Sequence, residues 1–273
     1  FCRSICMGNS GNRLMFYVFC SKIVRRRQPF LRGRSMKLRN SILAITVLLF
    51  SFQPLLALGT YSEGRAIVKV TKMESQGIFI NSFEGEFEVA SYDSSEKCDM
   101  DDGTCYTPQK RTIKFSIDND NKEVAQFLIE NMNRVMLIDY KIHRIEPVSL
   151  KTSFEVLGAK ALINKQPENF VRRKNVSKTG GAGNVSIYGK VLKLEYRGTM
   201  VGTYEALVYN RQKDKILPVS ITNEAMAAYV KEAMNSTQEY YIGLSTAVVS
   251  GLRESDIDIF EINYDKPADL AGD

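Results

Sequence analysis

Residues 113–132 read IKFSIDNDNKEVAQFLIENM, and residues 217–236 read LPVSITNEAMAAYVKEAMNS. Ser116, Ile117 and Asn119 of the first stretch meet Ser220, Ile221 and Asn223 of the second at a constant offset of 104. In both, a short run rich in apolar residues gives way to a polar corner and then to helical spacing, so each marks the passage from a strand into a helix. Upstream, SFEGEFEV (82–89) matches TYEALVYN (203–210) at an offset of 121. The change of offset places an insertion in the first copy, and the polar loop CDMDDGTC (98–105) lies within it.

Working outward, the first copy predicts strands over 65–72, 77–90 and 111–117, where β-branched and aromatic residues are broken by turn signals. A helix follows. Asp120 stands three residues before Glu123 as in a capping box, and Val124, Phe127, Leu128, Asn131 and Val135 share one face. Strand composition returns over 136–145 and 154–162. The second copy repeats this order with strands over 187–196, 200–211 and 216–221, a helix from Asn223, and strands over 239–249 and 256–264. The fold class expected is mainly β with one helix per unit, as tandem OB-like β-barrels of order β-β-β-α-β-β; a hairpin-rich sandwich is the competing architecture. The first domain is expected at 60–163 and the second at 186–273. Residues 164–185 between them hold Pro167, Arg172-Arg173-Lys174 and KTGG (178–181), which reads as a linker.

From Met36 the chain reads MKLRNSILAITVLLFSFQPLLALG, the layout of a signal peptide over 36–59, with Ala57 and Gly59 before a cut at Thr60. Residues 1–35 read as a non-native upstream extension, since Phe1 is no ordinary initiator. Residues 1–59 carry 10 of the 37 basic side chains and none of the 31 acidic ones, which leaves 27 against 31 and a net charge of −4 for the rest. The apparent basicity belongs to the leader, so no nucleic acid is expected as a partner. An uncleaved leader acting as an anchor is the alternative, and a membrane is a partner only in that case. Cys98 and Cys105 are the two cysteines after the leader. In an oxidising compartment they are expected to form a disulfide, with two free thiols as the alternative.

Tyr61-Ser62-Glu63-Gly64-Arg65, Lys72, Gly77 and Glu84-Gly85-Glu86 together resemble the signature of a group of small exported bacterial proteins with an OB-like barrel. The tandem form is similar to uncharacterised envelope proteins of spirochaetes, of leptospiral type. The resemblance covers residues 61–90. It departs at Phe83, where the family often has Trp, and the second copy carries Glu205-Ala206-Leu207 in place of the acidic tripeptide. The resemblance implies export and fold; the family has no settled activity, so it confers no catalytic residue.

The chemistry-bearing inventory is thin. His143 is the one histidine, flanked by Lys141 and Arg144 as on a solvated strand face. Asp99, Asp101 and Asp102 lack the spacing of a calcium loop and read as a solvated tip. Glu84, Glu86 and Glu88 alternate, which a strand places on one solvent face opposite Phe83, Phe87 and Val89. The glycine-rich KTGGAGN (178–184) lacks phosphate-loop order. Arg172, Arg173, Lys174 and Lys178 form a basic stretch suited to sulfated glycans or acidic partners, and Phe79, Tyr92, Tyr106, Tyr204 and Tyr209 offer aromatic contact surface.

No cofactor, metal or enzymatic role is expected. The reading is an exported binding protein of the periplasm or outer-membrane surface of a Gram-negative-type bacterium. Its partners are protein or glycan, as for an adhesin. A structural or stress-related periplasmic protein is the alternative, and a hydrolase a distant third. Mass spectrometry of exported material is expected to give a chain starting at Thr60 whose mass rises by two hydrogens on reduction. An intact Met36 start overturns cleavage, and two freely alkylated thiols overturn the disulfide.

Overall fold

The computed structural model describes residues 60–76, 82–93, 105–178, 184–198, 202–247 and 253–266, all within one compact unit. The leader, Cys98, the loop aspartates, Phe79 and residues 179–183 lie outside them. The chain is mainly β, as expected. In the first copy β1 (Thr60–Gln76), β2 (Ser82–Tyr92) and β3 (Pro108–Asp118) precede α1 (Lys122–Glu130), β4 (Val135–His143) and β5 (Phe154–Ala161). A short β6 (Arg173–Asn175) follows. The second copy runs β7 (Val185–Arg197), β8 (Thr203–Asn210), β9 (Lys215–Ile221), α2 (Glu224–Ala233), β10 (Tyr240–Thr246) and β11 (Ile257–Asn263).

Hydrogen-bonded neighbours follow the order β1-β2-β3-β5-β4 in the first copy, and β4 pairs back onto β1; the second copy closes likewise through β7-β8-β9-β11-β10. Closure leaves few edges exposed. Pairing within each ring is antiparallel except at one place. β3 meets β5 in parallel through the single bridge Ser116↔Glu155, and β9 meets β11 through Ser220↔Asp258.

Alternation explains the strands. In β2, Phe87 and Val89 are buried while Glu86 and Glu88 are partly exposed. Each ring encloses its own core, around Phe87, Phe115, Leu128 and Ile138 in the first and around Leu194, Val208, Leu217, Met226 and Ile242 in the second. The helices begin differently. Asn223 caps α2 through its side chain, which accepts from the Met226 N–H at 3.1 Å. In the first copy, Asp118 rather than Asp120 is the capping acid: it accepts from the Asp120 N–H at 3.1 Å and caps the 3-10 turn over Asn119–Asn121 that leads into α1, which has no side-chain cap of its own. Asn133, at φ 63, sits in the left-handed region after α1, so Val135 opens β4 and is 59% exposed instead of extending the helical face.

The registers give the repeat at residue level. The β1–β2 ladder slips between Val70 and Lys72, and the β7–β8 ladder slips between Val191 and Lys193, again an offset of 121. The β4–β5 slip at Asp139/Tyr140 recurs at Gly243/Leu244, an offset of 104.

Of the stretch expected as a linker, the described residues 164–178 pack on the second ring. β6 pairs antiparallel with β11, Asn175 opposite Glu261 and Arg173 opposite Asn263. Ile163 bridges to Ser236, and the Ser236 hydroxyl donates to the Lys165 carbonyl at 2.8 Å. Phe170, 7% exposed, stacks 4.4 Å from Tyr229 and lies 5.1 Å from Tyr240. Composition signalled a polar segment, but one aromatic and an available strand edge outweigh it. Phe170→Ala is therefore expected to destabilise the protein by about 3–5 kcal/mol, the usual cost of emptying a buried aromatic site. Chemical denaturation measures this, and a loss under about 1 kcal/mol, within the range of a surface change, restores the linker reading.

Candidate functional site

The two rings join along one antiparallel ladder, Ser62–Ala66 of β1 against Lys193–Arg197 of β7. Gly64 stands opposite Glu195, and a Cβ there would meet the Leu194 carbonyl oxygen at 2.3 Å, so only glycine fits. Next to it, Arg65 donates from Nε to Asp139 at 3.0 Å and from Nη1 to the Lys231 carbonyl at 2.9 Å and to Asn235 at 3.2 Å. A cation thereby serves the C-terminal turn of α2, where the helix carries partial negative charge. The Ser62-Glu63-Gly64-Arg65 part of the sequence signature is thus the seam between the rings.

Glu195 is the polar centre of that seam, at 2% side-chain exposure. The Tyr140 hydroxyl donates to it at 3.0 Å, Arg197 Nε donates at 2.9 Å, and Lys193 forms an ion pair with it. Arg197 continues to Glu254. Burial by itself would raise the Glu195 carboxyl, but Lys193 and Arg197 outweigh it and hold the group down at about 2. Burial and the neighbouring carboxylate push the Tyr140 phenol well above its ordinary value, which keeps it a donor.

A cleft of about 670 Å³ opens between the rings, beside the seam. Tyr196 and Tyr204 form one wall with ring centroids 5.0 Å apart. Glu63 and Glu224 contribute carboxylates, and Thr203, Thr222 and Lys231 add hydroxyl and ammonium groups. Partial burial, then Glu224, Tyr196 and Glu63, raise the Tyr204 phenol above its ordinary value, which keeps it a donor.

The basic residues singled out from sequence are elsewhere. Arg172 pairs with Asp265 (Nε to Oδ2 2.8 Å), Arg173 with Glu261 at 2.7 Å, and Lys178 bonds Asn184 and lies 4.5 Å over the Phe260 ring. Lys174 is held in β6 opposite Ile262. Arg172 and Arg173 thus have their charges answered by carboxylates, and none of the four lines the cleft. Cys105 is buried against the second core, and Tyr92 stacks on Tyr106 at 4.5 Å. Tyr106 exchanges two backbone hydrogen bonds with Ile216, which ties the first-copy insertion to the second ring.

Two expectations change. His143 is not on an open face; its Nε2 lies 2.6 Å from Glu155, both side chains largely covered. Glu84 is no free solvent carboxylate either. It accepts from the hydroxyls of Ser82 at 2.6 Å and Ser116 at 2.7 Å. Glu205 repeats this with Thr203 at 2.7 Å and Ser220 at 2.6 Å. The shared Ser/Thr-x-Glu was the signal in the sequence; its meaning needed β3 and β9 alongside. Among the described residues no cluster of acidic, histidine or cysteine side chains could hold a metal, and no helix is long and apolar enough to cross a membrane.

The family model described as "Domain of unknown function (DUF8785)" matches residues 59–166 and 180–269, and the chain belongs to that family. No curated protein matches. Among solved structures, the chain matches the single-stranded DNA binding protein from Thermus aquaticus. A deletion mutant is 11% identical over 74% of this chain and 90% of that one, and the wild type 8% identical over 74% and 89%, each with a TM-score of 0.24. The expectation of no nucleic acid is corrected accordingly. It rested on net charge alone, and the solved structures matched are single-stranded DNA binding proteins. At this TM-score the likeness carries no argument about what the chain itself binds.

Glu195 yields a pH prediction. Its folded value lies below the ordinary 4.5, so its stabilisation is present above about pH 4.5 and is lost as pH falls toward 2. The lowering corresponds to about 3 kcal/mol. Glu195→Gln is expected to lose stability at pH 7 and to flatten the acid limb of the stability profile. An unchanged acid limb contradicts this assignment.

Proposed function

We propose that this chain is an exported envelope binding protein of the adhesin kind, built as two OB-type barrels in tandem, and that it takes a glycan in the cleft between them. The barrel reading is supported by two closed rings of equal strand order, each with its helix before the fourth strand and one parallel contact. Such barrels present strand faces and loops to extended polymers. Export is supported by the layout of residues 36–59.

The observation that carries the ligand class is the cleft wall. Tyr196 and Tyr204 offer ring faces, Glu63 and Glu224 offer hydrogen-bond acceptors, and Thr203 and Thr222 offer hydroxyls. A sugar presents both of the matching surfaces, an apolar C–H face for a ring and hydroxyl donors for carboxylates. Apolar walls with a few oriented polar groups are what small-ligand sites use.

The test is calorimetric titration of the exported protein with neutral, sulfated and amino-sugar oligosaccharides, with a single-stranded oligonucleotide as comparison. Saturable binding of a neutral or amino-sugar glycan is expected, weakened at least about tenfold in Tyr204→Ala, as for a central aromatic contact. Binding of the oligonucleotide through Tyr204, or glycan binding indifferent to Tyr204, overturns the reading.

A further inference from the structure

The joint between the rings sets residues of both copies in one row. Glu63 of β1 stands opposite Tyr196 of β7, Tyr196 opposite Tyr204 of β8, and Tyr204 opposite Ile221 of β9. Residues directly opposite on neighbouring strands share a face, with Cβ atoms about 5 Å apart. The Glu63 carboxylate therefore adjoins the Tyr196 ring, in the cleft that all four residues line. The Tyr196 ring is seated against Gly202, where a Cβ would collide with its Cζ and hydroxyl. A side chain at that position would push the ring out of its place.

The ring architecture does not require this pair of phenols. At an offset of 121 in both strands, the equivalent positions of the first copy are Ser75 and Phe83, which oppose each other in the β1–β2 ladder as Tyr196 and Tyr204 do in β7–β8. A closed ring of the same strand order thus forms without either phenol. The two phenols occur where the rings meet.

The charges around this wall are unevenly answered. Asp139 is held by Arg65 at 2.9 Å. Lys231 carries its Nζ 6.0 Å over the Tyr204 ring, so that ring already faces an ammonium. Glu224 sits in the first turn of α2, where the helix N-terminus favours a carboxylate. Glu63, which is exposed, has no such support. Lys141 of β4 stands opposite it on its other side, yet no ion pair or hydrogen bond joins Glu63 to a described side chain. A free carboxylate beside a tyrosine ring suits an ammonium, which gains charge from the one and the quadrupole of the other. A sulfated ligand would meet Glu63 and Glu224 as like charges.

We propose that the cleft selects a glycan with free amino groups, whose ammonium is held between Glu63 and the Tyr196 ring while Tyr204 takes the face of a neighbouring sugar. This rests on the glycan reading above and narrows it: N-acetylated, neutral and sulfated sugars are the ones discriminated against. Glu63 belongs to the first ring and both tyrosines to the second. Neither ring alone holds the selecting pair, so selectivity is a property of the joint.

The test compares a glucosamine oligomer with its fully N-acetylated form of the same length, by calorimetric titration of the exported protein at about pH 5.5, where an amine of ordinary pKa is charged. Acetylation removes the charge and keeps the sugar ring. At low salt the amino form is expected to bind about tenfold more tightly, because acetylation forfeits both the carboxylate and the cation–ring contact, and the difference is expected to shrink at high salt. Glu63→Gln is expected to weaken the amino form about fivefold and to leave the acetylated form within about twofold, the range of a surface change. Equal binding of the two forms, both sensitive to Tyr204→Ala, overturns the proposal and leaves the glycan reading standing. An equal loss for both forms in Glu63→Gln also overturns it, since that marks a structural role. Binding of neither form overturns both readings.

Discussion

Everything in this protein hangs on one ladder, Ser62–Ala66 of β1 laid against Lys193–Arg197 of β7. Each ring is closed by its own pairings, but this ladder turns two rings into one continuous sheet. It forms because β1 outruns its neighbours: its N-terminal half pairs with β4, its C-terminal half with β2, and one edge of the N-terminal half is left for β7. Gly64 allows the close approach, and the ladder buries a carboxylate that two cations and a phenol must answer. A buried charge without those partners would be strongly unfavourable. The cleft beside the seam and the covered face of the second ring both follow from this contact.

A second constraint operates inside each ring. The parallel contacts of β3 with β5 and of β9 with β11 consist of one bridge each, so the ladder there cannot satisfy the backbone alone. Side chains complete it. Ser116 donates to Glu84 and accepts from the amides of Lys151 and Thr152 at 3.2 and 3.0 Å. Ser220 donates to Glu205 and accepts from the Ser255 amide at 3.3 Å. In the second ring the carboxylate also accepts from the Glu254 amide at 3.3 Å. Partial burial raises the Glu205 carboxyl, with Ser220 and Thr203 opposing the rise. These joints hold loops onto the rings, and in each copy the equivalent carboxylate is clasped by equivalent hydroxyls, Ser82 and Ser116 on Glu84 and Thr203 and Ser220 on Glu205.

The repeat adds an asymmetry with functional weight. Two copies of one unit, joined head to tail, necessarily use different surfaces of each copy. One face is consumed by the joint, and no described strand of the second ring joins its counterpart. At two equivalent positions the residues differ, Leu207 and Pro218 on the covered face against Glu86 and Lys114 on the other. The basic cluster of the former linker shows the converse. Arg172 and Arg173 looked like a ligand site because nothing in the local sequence names Asp265 and Glu261 as their partners, about ninety residues away.

Local pattern determined the five main strands of each ring, the place of each helix, the repeat and its change of offset, because alternation, helical spacing and turn residues act over a few neighbours; it missed β6. It did not determine that Glu84 and Glu205 are clasped, that His143 faces Glu155, that Asp258 is buried on Arg253 at 2.6 Å, or that Phe170 fills the second core. Those contacts join residues distant along the chain, and their energies depend on which surfaces meet after both rings have closed. The signature around Gly64 lies between the two cases. Its letters were visible at once, but their reason is the carbonyl of Leu194, which only the folded chain brings to 2.3 Å from the position a side chain would take.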